Sequence, residues 1–426
     1  MISSIAQNVI NVTDTAFLGR LDNVALAAGA LGGLFYLAII QLGWGVGIGA
    51  QIIVARRYGE GNTSEIGPTI NQVQIFLLFL ASLLVALYQV FGHALLTSIV
   101  RSDQILKASL NFLDYRIWGL FFTFSFFSLR GFFVGIAETT VITYTTFTMV
   151  LVNVFLGYSL IFGHFGLPKM GIKGAGLAST IAEFSGVVTI ILYTVIKKYH
   201  SKFYLFKTRG TSWGLLLKIQ KISAPLMLQH FLSFSIWFLF FLIIEKMGEI
   251  QLAVSNIVRS IYVVMLIPIM GFATAANTLV SYQIGQNRSN EVLSLTWRIA
   301  ILSAGFSLFL SVICLTFAHP LISIYTTDIY LIENTQPVLF VVAVASIILS
   351  VAFVLFNGVT GTGKTNISLA IEIVILFFYI LLTWFIALVM KGELYQVWIM
   401  EIVYGILLSV CSLFYLKSNR WIGMKV

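Results

Sequence analysis

Charge is scarce in this sequence. It has 25 Lys and Arg and 16 Asp and Glu among 426 residues, or 10%, where soluble domains carry about 25%. The shortage excludes a water-soluble globular protein. A chain that is 59% hydrophobic cannot cover itself with polar surface, so lipid must be the solvent for most of it. Cysteine is nearly missing too. Cys314 and Cys411 both sit in apolar runs, which excludes a disulfide framework and a cysteine metal site. Proline is rare, at 6 residues against 34 glycines, a balance that suits long helices packing closely in a membrane. No signal-peptide cleavage pattern follows Met1. The net charge of +9 is the one feature that could suggest nucleic acid. Basic residues of membrane proteins collect in cytoplasmic loops, however, and that explanation leaves no nucleic-acid partner.

Long apolar runs are abundant. A helix needs about 20 apolar residues to cross the hydrocarbon core. On that measure, spans are expected near 1–20, 29–54, 70–97, 110–134, 141–163 and 174–196. A second set lies near 223–245, 252–280, 296–318, 336–358, 366–390 and 396–416. Between the sets, residues 197–222 read as a basic cytoplasmic linker, and 417–426 as a cytoplasmic tail. Lys and Arg fix the expected orientation. With the N-terminus inside, cytoplasmic segments hold fifteen, among them Arg56, Arg57, Lys197, Lys198, Lys364 and Arg420; the outer loops hold seven. That bias predicts both termini in the cytoplasm of a cell whose inner (plasma) membrane the chain crosses many times.

The two sets repeat. A shift of 226 residues aligns Val24–Ile66 with Ile250–Val292 without a gap, pairing Tyr36 with Tyr262, Gly45 with Gly271, Gly59 with Gly285 and Glu65 with Glu291. The same shift pairs Gly135 with Gly361 and Thr139 with Thr365. The expectation is an all-α integral membrane fold of two pseudo-symmetric six-helix bundles, 1–196 and 223–416, around a central cleft, related by an axis along the membrane normal. Pro225, which opens the seventh span, would map to position −1, so the first helix is expected to be truncated at its start.

Residues 358–365, Gly-Val-Thr-Gly-Thr-Gly-Lys-Thr, match the phosphate-loop pattern G-x-x-x-x-G-K-[ST]. That pattern cradles phosphate only between a buried strand and a helix. Here it joins two apolar runs of helix length, and its repeat partner, 132–139, has no Gly-Lys pair. A tight turn with Lys364 as an inside charge is expected, and no ATP.

The first span carries a polar stripe of Gln7, Asn8, Asn11, Asp14 and Thr15, with Gln7, Asn11 and Asp14 on one helical face. A carboxylate in hydrocarbon is costly, so Asp14 should face protein or water and is able to exchange a proton or Na⁺. The competing reading is a carboxylate satisfied by neighbouring Asn and Thr groups. Glu183, Glu372 and Glu401 are further in-span acids, with Arg116, Arg130 and Arg259 as candidate partners, and structural ion pairs or snorkelling, rather than coupling, are the expected reading of each. Asn153 could lend its carbonyl oxygen to a cation or simply join two helices. His230 could titrate near neutrality or be a packing residue. Gln7, Tyr36, Trp44, His230 and Tyr262 are candidates to line a substrate cleft, the aromatics through cation–π contact.

With those motifs in place, the chain resembles the multidrug and toxic compound extrusion (MATE) family over nearly its whole length. Gln7 to Leu21 looks like that family's first helix, Ala50 to Asn62 like the end of its second, and Leu279 to Asn287 like the matching end of its eighth. Asn153, Ile161-Phe162-Gly163, Pro168 and Gly171 to Ser179 look like its fifth and sixth helices. The resemblance implies a secondary antiporter that exchanges H⁺ or Na⁺ for bulky, often cationic drugs or toxic metabolites by alternating access. It implies no cofactor and no catalytic residue. It implies small-molecule amphipathic substrates and the lipid bilayer as partners, acting as a monomer. Asp14 matches the first-helix acid that binds the coupling cation in many prokaryotic members, with Asn11, Asn153 and Ser179 beside it and no metal beyond Na⁺ there. This chain departs from the pattern in three places. Gly157 stands where some members carry an Asp four residues after the Asn; Ser233 occupies a seventh-helix Glu position by its spacing from Pro225; and the tenth span, 336–358, has no acid. The cation site of the C-terminal half is therefore expected to be absent. The alternatives are a flippase for lipid-linked saccharides, which would need a more basic cleft, a nucleotide-dependent enzyme using 358–365, and a receptor or scaffold without transport.

Overall fold

The computed structural model describes residues 2–207 and 212–423, and their side chains except those of residues 2–9, 11 and 12. Gln7, Asn8 and Asn11 thus fall on the first helix with side chains outside the described set. The helices in chain order are α1 Ile2–Leu21, α2 Asn23–Gly59, α3 Ile66–Ile99, α4 Asp103–Arg116, α5 Gly119–Gly135, α6 Thr140–Phe162, α7 Ile172–Ile196 and the short α8 Tyr199–Lys202. They continue as α9 Trp213–Met247, α10 Glu249–Gly285, α11 Val292–Thr316, the short α12 Ala318–Ser323, α13 Ile329–Gly361, α14 Thr365–Trp384 and α15 Leu394–Lys417. No strand occurs among the described residues. In hydrocarbon each backbone N–H and C=O must be satisfied within its own segment, which leaves the helix as the one economical form for such runs.

Ten of these helices are long and apolar enough to cross a membrane, and α4 with α5 forms an eleventh span bent by 49°. The more polar α1, 20 residues long, completes the twelve segments expected from hydropathy. The chain divides into two compact units, Ile2–Met227 and Leu228–Val426. The repeat is visible in the elements themselves: α2 and α10 are each 37 residues long. The 3₁₀ turns Thr63–Glu65 and Ser289–Glu291 follow them at equivalent positions.

Within the first unit α6 packs on α7, α2 on α5 and α1 on α6. The α2–α5 contact is set by glycine. A Cβ on Gly131 would stand 2.6 Å from the Gly47 carbonyl oxygen, so only a hydrogen there lets the two backbones meet. In the second unit α13 is the centre, packed on α10, α11 and α15, with Trp398, Phe240 and Val342 fully buried around it.

Three features depart from the hydropathy expectation. The fourth span is broken at Ile117–Trp118, where Arg116 turns inward to meet an acid described below. The seventh helix begins at Trp213, so Pro225 lies inside it rather than opening it. The linker is not loose: Phe203 and Leu205 are buried at 1% and 2% exposure. The Asn71 side chain of α3 accepts from the Phe206 N–H at 2.9 Å and donates to the Lys207 carbonyl. A Cβ on Gly67 would fall on the Phe203 carbonyl oxygen, so the linker seats directly on the start of α3.

Candidate functional site

The polar centre of the first unit is assembled by three helices. On α6, Met149, Asn153 and Gly157 recur at steps of four and are buried, the first two against Gly186 and Ser179 of α7 and Gly157 against Phe17 of α1. On α7, Ser179 and Gly186 face α6, while Gly176 and Glu183 turn to Phe112 and Arg116 of α4. Asp14 of α1, half-buried, completes the group. Asn153 Nδ2 donates to Ser179 Oγ at 3.1 Å, and Ser179 Oγ donates to Asp14 Oδ2 at 3.1 Å. The chain of donors ends on the carboxylate. Asp14 Oδ1 and Asn153 Oδ1 are buried and accept no hydrogen bond. Each unsatisfied buried acceptor costs about 1–3 kcal/mol, so the two oxygens are matched to a proton or a small hard cation, which oxygen ligands suit. Asn153 and Ser179 therefore stand with Asp14. Gly157 faces the Phe17 ring, which a Cβ there would meet at a contact distance of 3.4 Å.

One turn beyond Ser179, Glu183 meets Arg116 through two bonds, one of them Nη1 to Oε2 at 2.7 Å. Tyr36 Oη donates to Glu183 Oε2 at 3.1 Å, shares a hydrogen bond with Thr123 Oγ1 at 3.1 Å, and has the Arg116 guanidinium 3.7 Å over its ring. Gly119, at the break between α4 and α5, makes room. A Cβ there would stand 2.4 Å from both Arg116 Nη1 and Glu183 Oε2. The pair lies within electrostatic reach of Asp14.

The second unit holds two more in-span acids and pairs neither with a base. Glu372 Oε1 accepts from Ser233 Oγ at 2.8 Å and Tyr404 Oη at 2.9 Å. Glu401 accepts from Tyr262 Oη and Tyr379 Oη, both at 2.8 Å. Of the candidate partners, Arg116 alone finds an acid. Arg130 lies 4.4 Å over the Trp44 ring and Arg259 5.1 Å over the Phe241 ring. Tyr36 and Tyr262, expected to offer their rings to a cleft, are buried at 3% and 2% exposure. Their hydroxyls are committed to glutamates of α7 and α15, because a tyrosine O–H is the donor a buried carboxylate needs. Trp44 is half-buried with its ring between Arg130 and Phe127, and His230 is half-buried on α9. The tyrosine–glutamate pairing was missed in the sequence, although Tyr36 and Tyr262 are repeat partners and each meets a glutamate on a later helix of its own unit. Residues 358–365 run from the end of α13 through a turn at Gly363, φ +86°, into α14. No strand precedes them, so the backbone geometry of a phosphate loop is absent from this segment.

Comparison with known proteins shows the family and the fold. The MatE family model matches residues 1–159 and 225–385. A probable multidrug resistance protein NorM of Agrobacterium fabrum is 24% identical over 308 residues, 72% of this chain and 66% of that protein. The Thermotoga maritima protein of the same description is 26% identical over 370 residues, 86% of this chain and 78% of that one. Among solved structures, the MATE transporter VcmN of Vibrio cholerae in its bent form superposes with a TM-score of 0.87 at 17% identity, covering 99% of this chain and 95% of that one. A MOP superfamily transporter from Pyrococcus furiosus gives 0.90 at 17% identity, over 98% and 93%. At such identity the superpositions establish the fold.

Proposed function

The chain belongs to the MatE family, a family of transporters rather than enzymes, and from that premise we propose that it exports hydrophobic, often cationic compounds in exchange for H⁺ or Na⁺. One observation carries this reading. Asp14, Ser179 and Asn153 form a donor chain ending on a carboxylate, and two buried oxygens of that cluster accept nothing. Such a site gains a cation in one state and releases it in another. A cation bound unequally in the two states of an alternating-access cycle is what drives export, since equal affinity would shift nothing. Protonation or Na⁺ binding at Asp14 favours the state that has released the drug. The multi-pass chain sits in the inner (plasma) membrane with both termini in the cytoplasm, supported by the bias of Lys and Arg. The test is drug efflux from proteoliposomes, driven first by a pH gradient and then by a Na⁺ gradient. Acceleration by either supports antiport and names the ion; indifference to both overturns it.

Lys364→Ala is expected to leave efflux unchanged to within about twofold, the scale of a surface substitution away from a site. Lys364 precedes α14 in a turn after a helix, not after a strand. An ATP-dependent rate lost in this variant would reverse that reading of residues 358–365.

A further inference from the structure

We propose that Glu372 is a second site for the coupling cation, taking a proton on Oε2, and that the C-terminal unit therefore carries its own coupling carboxyl. The proposal rests on the antiport reading above. Its first ground is geometry. Glu372 lies on α14 at 3% exposure, and Ser233 of α9 and Tyr404 of α15 both donate to Oε1. Oε2 is buried and has no hydrogen-bond partner. A carboxyl group arranged this way has one oxygen fixed as an acceptor and the other left for a proton.

The second ground is charge. No Lys or Arg among the described residues pairs with Glu372. His230, one turn before Ser233 on α9, is the nearest base along that helix. On α15, Glu401 precedes Tyr404 by one turn, and on α14 Tyr379 follows Glu372 by two; the Tyr379 and Tyr404 rings meet with centroids 5.8 Å apart. On α13, which also packs against α14, no acid or base follows Glu333. Arg259 of α10 lies over Phe241 instead. The contrast with the first unit is direct: there Glu183 has Arg116, whereas the repeat partner of Arg116 is Val342. An ionised carboxylate in a hydrocarbon-embedded core without a counter-ion is expensive, so Glu372 is held as the acid while it stays buried, and it ionises only when water or a cation gains access. Glu401 is the natural comparison. Each of its oxygens is taken by a tyrosine hydroxyl, which leaves it no bare oxygen and assigns it a structural part.

Two readouts on the full-length protein test this. Infrared difference spectroscopy between acid and alkaline pH reads buried protonated carboxyls directly. One such band is expected to vanish in Glu372→Gln. In Ser233→Ala it is expected to persist at higher frequency, because a hydrogen bond accepted by the C=O softens it. In proteoliposomes, the number of protons taken up per drug exported is expected to fall roughly twofold in Glu372→Gln, as one of two sites that bias the cycle is lost. Both changes together support the proposal. A band that Glu372→Gln leaves untouched overturns it, and so does a lost band with an unchanged proton-to-drug ratio. A band displaced by Na⁺ at constant pH overturns the proton in favour of that ion. A wild type whose efflux ignores both gradients sinks the antiport reading and this one with it; a wild type that couples while the variant keeps its ratio sinks this one alone.

Discussion

Asp14→Asn is expected to cut ion-driven efflux sharply while leaving the protein folded. The side chain keeps its size and can still accept from Ser179 through its remaining carbonyl oxygen, so the chain Asn153–Ser179–residue 14 survives in outline. What is lost is a group whose charge can change. Without it, the ion has no differential affinity for the two states at this site. Efflux under a gradient should fall by roughly 5- to 150-fold, the range spanned by a coupling free energy of about 1–3 kcal/mol. Exchange that needs no gradient, drug against drug, should persist. The measurement is initial efflux rate from proteoliposomes with and without the gradient, beside a thermal unfolding curve in detergent. A variant that still responds to the gradient like the wild type removes Asp14 from the mechanism. A variant that responds partly points to the C-terminal carboxyl as the residual carrier, and the double variant with Glu372→Gln should then lose the remainder.

The expected loss is this large because the first unit has no second acid to take over. Gly157, which brings no side chain, stands four residues after Asn153 and faces the Phe17 ring. Glu183, the next carboxylate, is neutralised by Arg116 and fixed by Tyr36.

How far the sequence announces this structure depends on whether a feature lives within one helix or between several. Segment existence is legible, because twenty-odd apolar residues in lipid have one way to satisfy their peptide groups. The repeat then supplies boundaries that hydropathy blurs: Gly59 and Gly285 end α2 and α10 at equivalent positions. That Asp14 meets polar protein groups is legible too, because a carboxylate in hydrocarbon is costly. Contacts across long sequence separations are not. Nothing near Ser233 says that it donates to an acid 139 residues away. Nothing near Asn71 says that its amide serves peptide groups more than 130 residues later. The break before Gly119 lies in between: a charged Arg116 beside a glycine hints at it, yet the cause is Glu183 on another helix. Periodicity reports which face of a helix is polar, and the partner of that face is decided by packing.

Arg116→Ala is expected to destabilise the protein by about 3–5 kcal/mol, the cost of stranding one partner of a buried ion pair. The side chains of Arg116 and Glu183 are only 13% and 10% exposed, and the guanidinium also covers the Tyr36 ring. Removing it leaves Glu183 with the Tyr36 hydroxyl alone in a medium that penalises the anion. The sign of the second step separates this account from a simple packing loss. If the penalty belongs to the stranded charge, then adding Glu183→Leu to Arg116→Met should recover most of the stability, because replacing a buried pair by apolar groups of similar volume is often neutral or favourable by about 1–4 kcal/mol. If the penalty is lost packing, the double variant should be worse than either single one. Unfolding midpoints of the wild type, both single variants and the double variant in the same detergent decide between them. The two units predict different outcomes for the analogous change. Glu401 has no arginine, so Glu401→Gln in the second unit removes only an acceptor of two tyrosine hydroxyls. It should cost about 1–3 kcal/mol at most, the range for leaving a buried polar group less well satisfied. Tyr36 and Tyr262 are repeat partners while their glutamates are not, so losing a partner strands a charge at Glu183 and none at Glu401.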